Sequence, residues 1–407
     1  MKSRILTIFM AIILIISLVA CQTKEKLSEA ENSTESNNSG ESAESKDSAE
    51  ASESIEPEES DQASKSAEPE QSDQTSESAE PEQSDQTSES TELNEALKID
   101  SEIPALAEPA ALVAMKGPTA MGLAQYTWEK ITGNTENTDP NLIYEIMTMP
   151  DQVATGLIKG DIDLACIPAN LAASVFNKSE GKIQVTAINV LNVLHFATNN
   201  VELNSLDDLK GKSVYATGKG STPEVILNNL LTKAGLQIGT DITINYLPEA
   251  TEVAAKLQAE EGAVALLQEP FLSSVTMKNT QIKTQLNLEQ LWQEYFGENS
   301  KIVTGVLVAR KEFIEQNSLW FKQFLKDYQA SAEWVNQNPA EAGKIIEEQG
   351  IIGAAIAEHA IPNIGISLIT DQELQDTLAP YLEILATNNP ELIGGKIPSD
   401  DFYYQSN

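Results

Sequence analysis

The segment SVYATGKGSTPEVILNNLLTKAGL, residues 213–236, places a short apolar run before a glycine-rich junction and an amphipathic helical pattern. Ser221 or Thr222 fits the N-cap position of that helix, and Pro223 fits its first turn. Capping alone accounts for these residues. Gly220 also lets the backbone approach another group, and a helix start directs free N–H groups ahead of it. The segment therefore predicts a strand-to-helix unit whose junction either caps the helix or also contacts a ligand.

The same strand-to-helix pattern recurs along the chain. The apolar runs of strand length are AALVAM (110–115), DLACI (163–167), KIQVTAINV (182–190), SVYAT (213–217), TINYL (243–247), AVALL (263–267) and IVTGVLVA (302–309). Five junctions carry a proline where a helix should begin: Pro118, Pro168, Pro223, Pro248 and Pro270. The alternation predicts mostly parallel sheets covered by helices. Because ligands bind beyond the carboxyl ends of strands in open α/β sheets, these junctions favour a ligand role.

The N-terminus has the pattern of a secretory signal. Two basic residues precede an apolar run over residues 5–20, which is shorter than a membrane-spanning helix and ends in small residues. LVAC, residues 18–21, resembles the bacterial lipobox, in which the cysteine is acylated and becomes the new N-terminus. We therefore expect a signal peptide over residues 1–21 and lipidation of Cys21. The other cysteine, Cys166, lies in an apolar run; we expect it to be buried, without an intrachain disulfide.

Residues 22–100 are predicted to form a disordered tether. Residues 22–96 contain no Phe, Trp or Tyr, and the sequence SAEPEQSDQTSE occurs at residues 66–77 and again at residues 78–89. Such a composition cannot bury enough apolar surface to fold. The stretch 22–96 holds 23 acidic residues and 4 lysines, while residues 97–407 hold 39 acidic and 20 basic residues. The acidity of both parts argues against nucleic acid or anionic lipid as the principal partner.

Residues 105–405 are similar in motif order to the solute-binding lipoproteins of ABC importers, in the branch that binds nitrate, sulfonates, taurine and thiamine precursors. The segments that carry the resemblance are KGPTAMG (116–122), GDIDLACIPANLAASVFNK (160–178), SLDDLKGKSVYATGKGSTPEVILNNLLTKAGL (205–236), ALLQEPF (265–271) and WVNQNPAEAGKII (334–346). The resemblance implies an α/β, bilobed class II periplasmic-binding-protein fold, with two mostly parallel-sheet lobes joined by two crossover strands.

The resemblance also implies how the solute-binding domain, residues 101–407, divides into lobes. Lobe I is expected at residues 105–195 and 306–407, and lobe II at residues 196–305. We place the crossovers near residues 194–197 and 303–309.

By the same resemblance, the ligand cleft is lined at the strand-to-helix junctions by Lys116, Gly117, Pro118, Thr119, Ala120, Met121, Pro168, Asn170, Gly220, Ser221, Thr222, Gln268, Glu269 and Pro270. His195, beside the first expected crossover, is a further candidate, with a structural role as its alternative. Helix capping is the alternative for the junction residues. For Glu269 the alternative is an ion pair with a lysine.

The class of ligand is left open by the sequence. Arg310 is the only arginine in the expected domain, and we expect it at the surface, although sulfonate and phosphate sites often recruit arginine. An anion can also be bound by the N–H groups of helix starts alone. A sulfonate, a nitrate-like anion, a thiamine precursor or another heterocycle therefore all remain open.

Catalytic chemistry is not expected. Two histidines and one cysteine left after lipidation do not predict a metal centre, and no cofactor is expected. GKS at residues 211–213 lacks the earlier glycine of a P-loop, and no G-x-S-x-G motif occurs. Two alternatives share the fold: a pyrimidine synthase that makes a thiamine precursor, whose cysteine-rich motif is absent here, and a surface adhesin.

These features together predict an extracytoplasmic solute receptor, not an enzyme. We expect it to close two lobes over a small organic molecule by a hinge motion and to deliver that molecule to the permease of an ABC importer. The lipid on Cys21 should hold it on the outer face of the cytoplasmic membrane, and we expect a monomer.

Replacing Cys21 by serine should release the secreted protein from the membrane fraction, because acyl chains supply the membrane affinity while an acidic tether is repelled by anionic lipid. Fractionation followed by immunoblotting measures this. Deleting residues 31–92 should leave the melting temperature and the ligand binding of the soluble domain unchanged, because a disordered acidic segment has nothing to pack against. A serine variant that stays in the membrane fraction would contradict the lipidation site.

Overall fold

The computed structural model describes residues 105–131 and 139–406. The predicted signal peptide, Cys21 and the predicted tether lie outside these residues. Strands and helices alternate along the described chain. None of the helices in this part of the chain is long and apolar enough to span a membrane.

The strands contribute to two sheets. They are β1 Ala110–Met115, β2 Leu142–Met147, β3 Leu164–Pro168, β4 Ile183–Val190, β5 Leu194–Asn199, β6 Ser213–Ala216, β7 Thr243–Tyr246, β8 Val264–Gln268, β9 Ile282–Gln285, β10 Gly305–Arg310 and β11 Ile366–Ile369.

The helices cover both faces of the sheets. They are α1 Pro118–Met121, α2 Ala124–Ile131, α3 Pro150–Lys159, α4 Ala169–Lys178, α5 Thr222–Lys233, α6 Ala250–Ala259, α7 Phe271–Thr276, α8 Leu288–Phe296, α9 Lys311–Gln316, α10 Ser318–Gln337, α11 Pro339–Glu348, α12 Ala354–Ala360 and α13 Asp371–Asn388. Short 3-10 turns occur at Leu206–Leu209, Ile361–Asn363, Pro390–Ile393 and Asp400–Phe402.

The first lobe is built on a six-stranded sheet of order β11-β4-β10-β3-β1-β2. Strands β1, β2 and β3 are parallel, whereas β10 is antiparallel to both β3 and β4. Strand β11 is antiparallel to β4, so four of the six strands point the same way. The carboxyl ends of β1 and β3 therefore lie at one edge of this sheet.

The second lobe is built on a five-stranded sheet of order β7-β6-β8-β5-β9. Strands β6, β7 and β8 are parallel, and β5 is antiparallel to both of its neighbours, so four of the five strands point the same way. The predicted α/β fold with two mostly parallel sheets is thus confirmed.

The chain passes between the sheets twice. It leaves the first sheet in residues 191–193, between β4 and β5, and returns in residues 297–304, between α8 and β10. The segments predicted as crossovers, 194–197 and 303–309, overlap strands β5 and β10, and each of these strands pairs within one sheet only. The first link therefore lies just before its predicted segment, and the second overlaps its predicted segment at residues 303–304.

The hydrophobic core lies on both sides of the sheets, because the central strands are apolar on both faces. Strand β3 is buried along its length up to Ile167, and Cys166 within it is fully buried, as predicted. Helices α2 and α10 pack on one face of the first sheet, and α3 and α4 lie on the other. Such sheets are covered on both sides, which matches their nearly continuous hydrophobic runs.

The five junction prolines mark helix starts as predicted. Pro118 is the first residue of α1, and Pro168 and Pro270 precede α4 and α7 as their N-caps. Pro223 is the second residue of α5, and α6 begins two residues after Pro248. Proline suits these positions because it lacks the N–H group that a first turn leaves unpaired.

Gly305 lies where β10 leaves the interlobe link. A methyl group at its Cα would be 2.7 Å from Asn189 Oδ1 and 2.7 Å from Thr119 Cγ2. Both distances are shorter than a van der Waals contact. Asn189 donates a hydrogen bond from Nδ2 to the carbonyl oxygen of Thr119 at 2.9 Å, so the contact also positions α1.

Replacing Gly305 by alanine should lower the free energy of unfolding by about 1–3 kcal/mol, because the close-packed contact with Asn189 and Thr119 must widen. Urea denaturation measures the effect. Gly353→Ala is the control: its new methyl group would meet only Glu347 Oε1, at 3.6 Å, and Gly353 is the N-cap of α12, so its stability should fall less than that of Gly305→Ala. Equal stability of the two variants would contradict the packing at Gly305.

Candidate functional site

A cavity of about 580 Å³ lies where the two lobes meet. Both lobes contribute to its wall, through the junctions that follow β1 and β3 in the first lobe and β6 and β8 in the second. The two interlobe links add Val193 and Thr304. The cavity thus sits at the carboxyl ends of parallel strands, the position expected of ligand sites in α/β folds.

Eleven of the residues predicted to line the cleft lie in this wall: Lys116, Gly117, Pro118, Thr119, Pro168, Asn170, Ser221, Thr222, Gln268, Glu269 and Pro270. They come from four junctions spread over more than 150 residues of sequence, between Lys116 and Pro270. Contact of these residues with a ligand stays a prediction.

The other four predicted residues lie away from the wall. Ala120 and Met121 are fully buried in the core of the first lobe, because α1 is one turn long and turns these side chains inward. Gly220 is exposed, and its N–H group donates to Glu224 Oε2 at 2.6 Å. His195 Nε2 lies 2.9 Å from the carbonyl oxygen of Asn363, in a contact between the lobes.

Several wall residues were not predicted from the sequence. They are apolar or weakly polar and come mainly from the links and from the C-terminal part of the chain: Met115, Val193, Leu194, Pro223, Ile226, Phe271, Val303, Thr304, Ile351, Ile352 and Tyr381. Met115, Pro223 and Phe271 directly adjoin predicted residues and could have been included. No local motif marks Ile351, Ile352 or Tyr381.

Four helices begin at the cavity wall: α1, α4, α5 and α7. None of their N-cap residues makes a side-chain hydrogen bond to its own helix. The Ser221 hydroxyl donates instead to the carbonyl oxygen of Gly218 at 2.7 Å. At α4 and α5, helices of 10 and 12 residues, no N-cap side chain caps the first turn, although the N–H group of Ala169 at the start of α4 donates to the carbonyl oxygen of Thr304 at 3.1 Å. The partial positive charge of the remaining first-turn N–H groups favours electronegative groups.

Lys116 and Glu269 are the charged side chains of the described wall. Lys116 is exposed, whereas Glu269 is only 2% exposed and accepts a hydrogen bond at Oε2 from the Ser273 N–H group at 3.0 Å. Burial raises the pKa of Glu269 to about 6, since desolvation outweighs the hydrogen bonds from Ser273. The first turn of α7 is therefore capped by the carboxylate of Glu269, a residue that is also part of the cavity wall.

Arg310 takes no part in the cavity wall. Its Nη2 and Nε atoms donate to Asp163 Oδ1 at 2.7 and 3.2 Å, and Nη1 donates to Glu312 at 3.3 Å. The guanidinium group is thus used in ion pairs at the end of β10, in agreement with the predicted surface role.

Comparison with known proteins identifies the family of this chain. Residues 135–359, more than half of the chain, match the sequence profile of the family described as "ABC transporter, phosphonate, periplasmic substrate-binding protein". The chain belongs to this family of substrate-binding proteins. No significant match occurs among curated proteins.

Solved structures share the fold of this substrate-binding protein. An ABC transporter structure from Parabacteroides distasonis is 22% identical, with a TM-score of 0.61 over 74% of this chain and 99% of that chain. The periplasmic aliphatic sulphonate binding protein SsuA from Escherichia coli is 16% identical, with a TM-score of 0.58 over 74% of this chain and 94% of that chain. Neither the family nor these structures favour the synthase or adhesin alternatives.

The Glu269→Gln variant should change how the stability of this substrate-binding protein depends on pH. Because folding raises the pKa of Glu269 from 4.5 to about 6, the folded state favours the protonated form. The resulting stabilisation is complete at low pH and is lost as the pH rises through 6; its size is about 2 kcal/mol. Glutamine does not titrate, so its variant should gain about that much relative to the wild type between about pH 4 and about pH 7.5.

Urea denaturation across this pH range measures the difference. Parallel profiles for Glu269→Gln and the wild type would contradict the raised pKa.

Proposed function

We propose that this substrate-binding component of an ABC importer binds a small organic molecule with an oxyanion head group in the interlobe cavity and delivers it to the permease. The observation that carries this proposal is the set of helix starts, from both lobes, at a largely apolar wall. Helix N-termini with unpaired N–H groups are ready-made anion sites.

The oxyanion head is supported by the donors of the wall. The first-turn N–H groups of α4 that follow Ala169, and those of α5, would point toward the head group, and the ammonium group of Lys116 adds a positive charge. Since Arg310 is already paired with Asp163, backbone groups take the role that arginine has at other oxyanion sites. The family description names phosphonate, and the E. coli neighbour binds aliphatic sulphonate.

The organic body is supported by the remaining wall. Val193, Ile226, Val303 and Ile351 present apolar surface, which a bare inorganic anion would not use. Glu269 is the acidic group of the wall, and its carboxylate favours a ligand that carries an amino group. We therefore propose an alkyl oxyanion, with preference for its amino-substituted form.

Delivery requires that the cavity open and close. The wall is shared between lobes joined by residues 191–193 and 297–304, so a hinge motion at these links would expose the ligand. A ligand that contacts both lobes stabilises the closed form by the difference in its contacts. No covalent step is needed, and we propose that the protein is not an enzyme.

The organisation proposed for the full chain is that predicted from the sequence. A signal peptide covers residues 1–21, a tether residues 22–100 and the solute-binding domain residues 101–407, with lobe II at residues 196–305. Lipid on Cys21 would hold a monomeric receptor on the outer face of the cytoplasmic membrane, within reach of its permease.

Four probes test the ligand class: propanesulfonate, propylphosphonate and the two amino forms, aminopropanesulfonate and aminopropylphosphonate. At least one should bind with one molecule per chain, raise the melting temperature with concentration, and be recovered unchanged. The amino form of that probe should bind more tightly, because of Glu269. Calorimetry and mass spectrometry measure these outcomes. Absence of binding by all four would refute the ligand class, and a converted product would refute the receptor.

Substitutions at the start of α5 test whether the hydroxyls of this junction contact the ligand. Thr222→Val removes a hydroxyl from the wall, and a lost ligand hydrogen bond should weaken binding by about five- to one-hundred-fold without lowering stability. Ser221→Ala is the control: it removes the hydroxyl that donates to Gly218, so stability should fall more than affinity. Unchanged affinity in Thr222→Val would remove this hydroxyl from the proposed site.

A further inference from the structure

Helix α13 brings one side chain to the cavity from the C-terminal part of the chain. Tyr381 lines the cavity and is only 1% exposed. Its ring also meets the ring of Trp292, on α8 of the second lobe, in an edge-on contact with centroids 6.4 Å apart. Tyr381 therefore contacts the other lobe as well as the cavity.

The hydroxyl of Tyr381 has unused hydrogen-bonding capacity. It is buried, and it has no hydrogen-bond partner among the residues that the structure describes. Burial raises the pKa of Tyr381 well above its ordinary value, so the group keeps its proton and can donate. Burying a hydroxyl without a partner is unfavourable, and each such group calls for a specific reason.

A second tyrosine, Tyr403, allows the effect of cavity position to be distinguished from the effect of burying an unpaired hydroxyl. Tyr403 is 5% exposed, and its hydroxyl also lacks a partner within the described chain. Tyr403 lies outside the cavity wall, in the core near Phe402. The two residues share chemistry and burial, but only Tyr381 belongs to the cavity wall, which makes Tyr403 a matched control.

We propose that Tyr381 determines ligand specificity by donating a hydrogen bond from its hydroxyl to an acceptor oxygen of the bound molecule. This inference rests on the proposed function, since it assumes an organic oxyanion in the cavity. The bound oxygen supplies the partner that the hydroxyl otherwise lacks. Because the ring packs on Trp292 of the second lobe, the same side chain links ligand contact to the contact between lobes.

The Tyr381→Phe variant tests the proposal, with Tyr403→Phe as its control. Calorimetric titration of the secreted protein with the four probes named above gives the dissociation constants. Tyr381→Phe should weaken binding of the probe that the wild type binds best by at least about tenfold. Its ligand-free melting temperature should not fall, since the substitution removes an unpaired buried group. Tyr403→Phe should bind like the wild type.

The outcomes separate this proposal from the proposed function. Binding by the wild type together with unchanged affinity in Tyr381→Phe would overturn the role of Tyr381 and leave the ligand class intact. Equal losses of affinity in Tyr381→Phe and Tyr403→Phe, or a marked fall in the melting temperature of Tyr381→Phe, would assign the effect to structure and also overturn it. If the wild type binds none of the probes, the ligand class fails, and the Tyr381 contact fails with it.

Discussion

The backbone hydrogen bonds of Thr304 hold the return link against the first lobe. Its N–H group donates to the carbonyl oxygen of Val190 at 3.0 Å, and its own carbonyl accepts from the N–H group of Ala169 at 3.1 Å. Val190 ends β4, just before the outward link, and Ala169 begins α4. The return link is therefore held beside the end of β4 and the start of α4, at the cavity wall.

The electrostatics of the cavity follow from chain direction. A parallel strand that leads into a helix ends where that helix begins, so each such junction at the sheet edge adds N–H groups to the same region. Most of the wall around them is apolar, and a low-dielectric surrounding strengthens their attraction for an anion. Under the proposed function arginine is not required for this, and Arg310 is instead paired with Asp163 at the far end of β10.

The sequence predicted the central strands and the junctions, because both depend on local signals. Strands buried on both faces give continuous apolar runs, and junction prolines mark helix starts. The edge strand β7 was also predicted, whereas the edge strands β2, β9 and β11 were missed, since polar residues such as Glu145, Lys283 and Ser367 interrupt their apolar runs. Strand β5 was read as a crossover because the sequence alone does not show which sheet a strand joins.

At the site, the sequence identified the residues of the junctions and missed those that approach from elsewhere. Ala120 and Met121 follow Thr119 directly, yet one turn of helix is enough to carry them from the wall into the core. Tyr381 lies more than 100 residues beyond Pro270, and only the packing of α13 beside the second lobe brings it to the cavity. Such contributions depend on tertiary structure, and no spacing rule within one segment predicts them.

Contacts between the lobes outside the links determine how much free energy a ligand must add to stabilise the closed form. These contacts include apolar packing among residues of both lobes and three side-chain pairs: His195 bonds to Asn363, Thr276 Oγ1 lies 3.3 Å from His359 Nε2, and Tyr381 meets Trp292. Two are single polar contacts and one is an aromatic edge contact, each of modest free energy. A ligand that bonds to both lobes adds to them directly and shifts the balance between open and closed forms. Affinity should therefore depend most on residues, such as Tyr381, whose ligand contact and interlobe contact are made by one side chain.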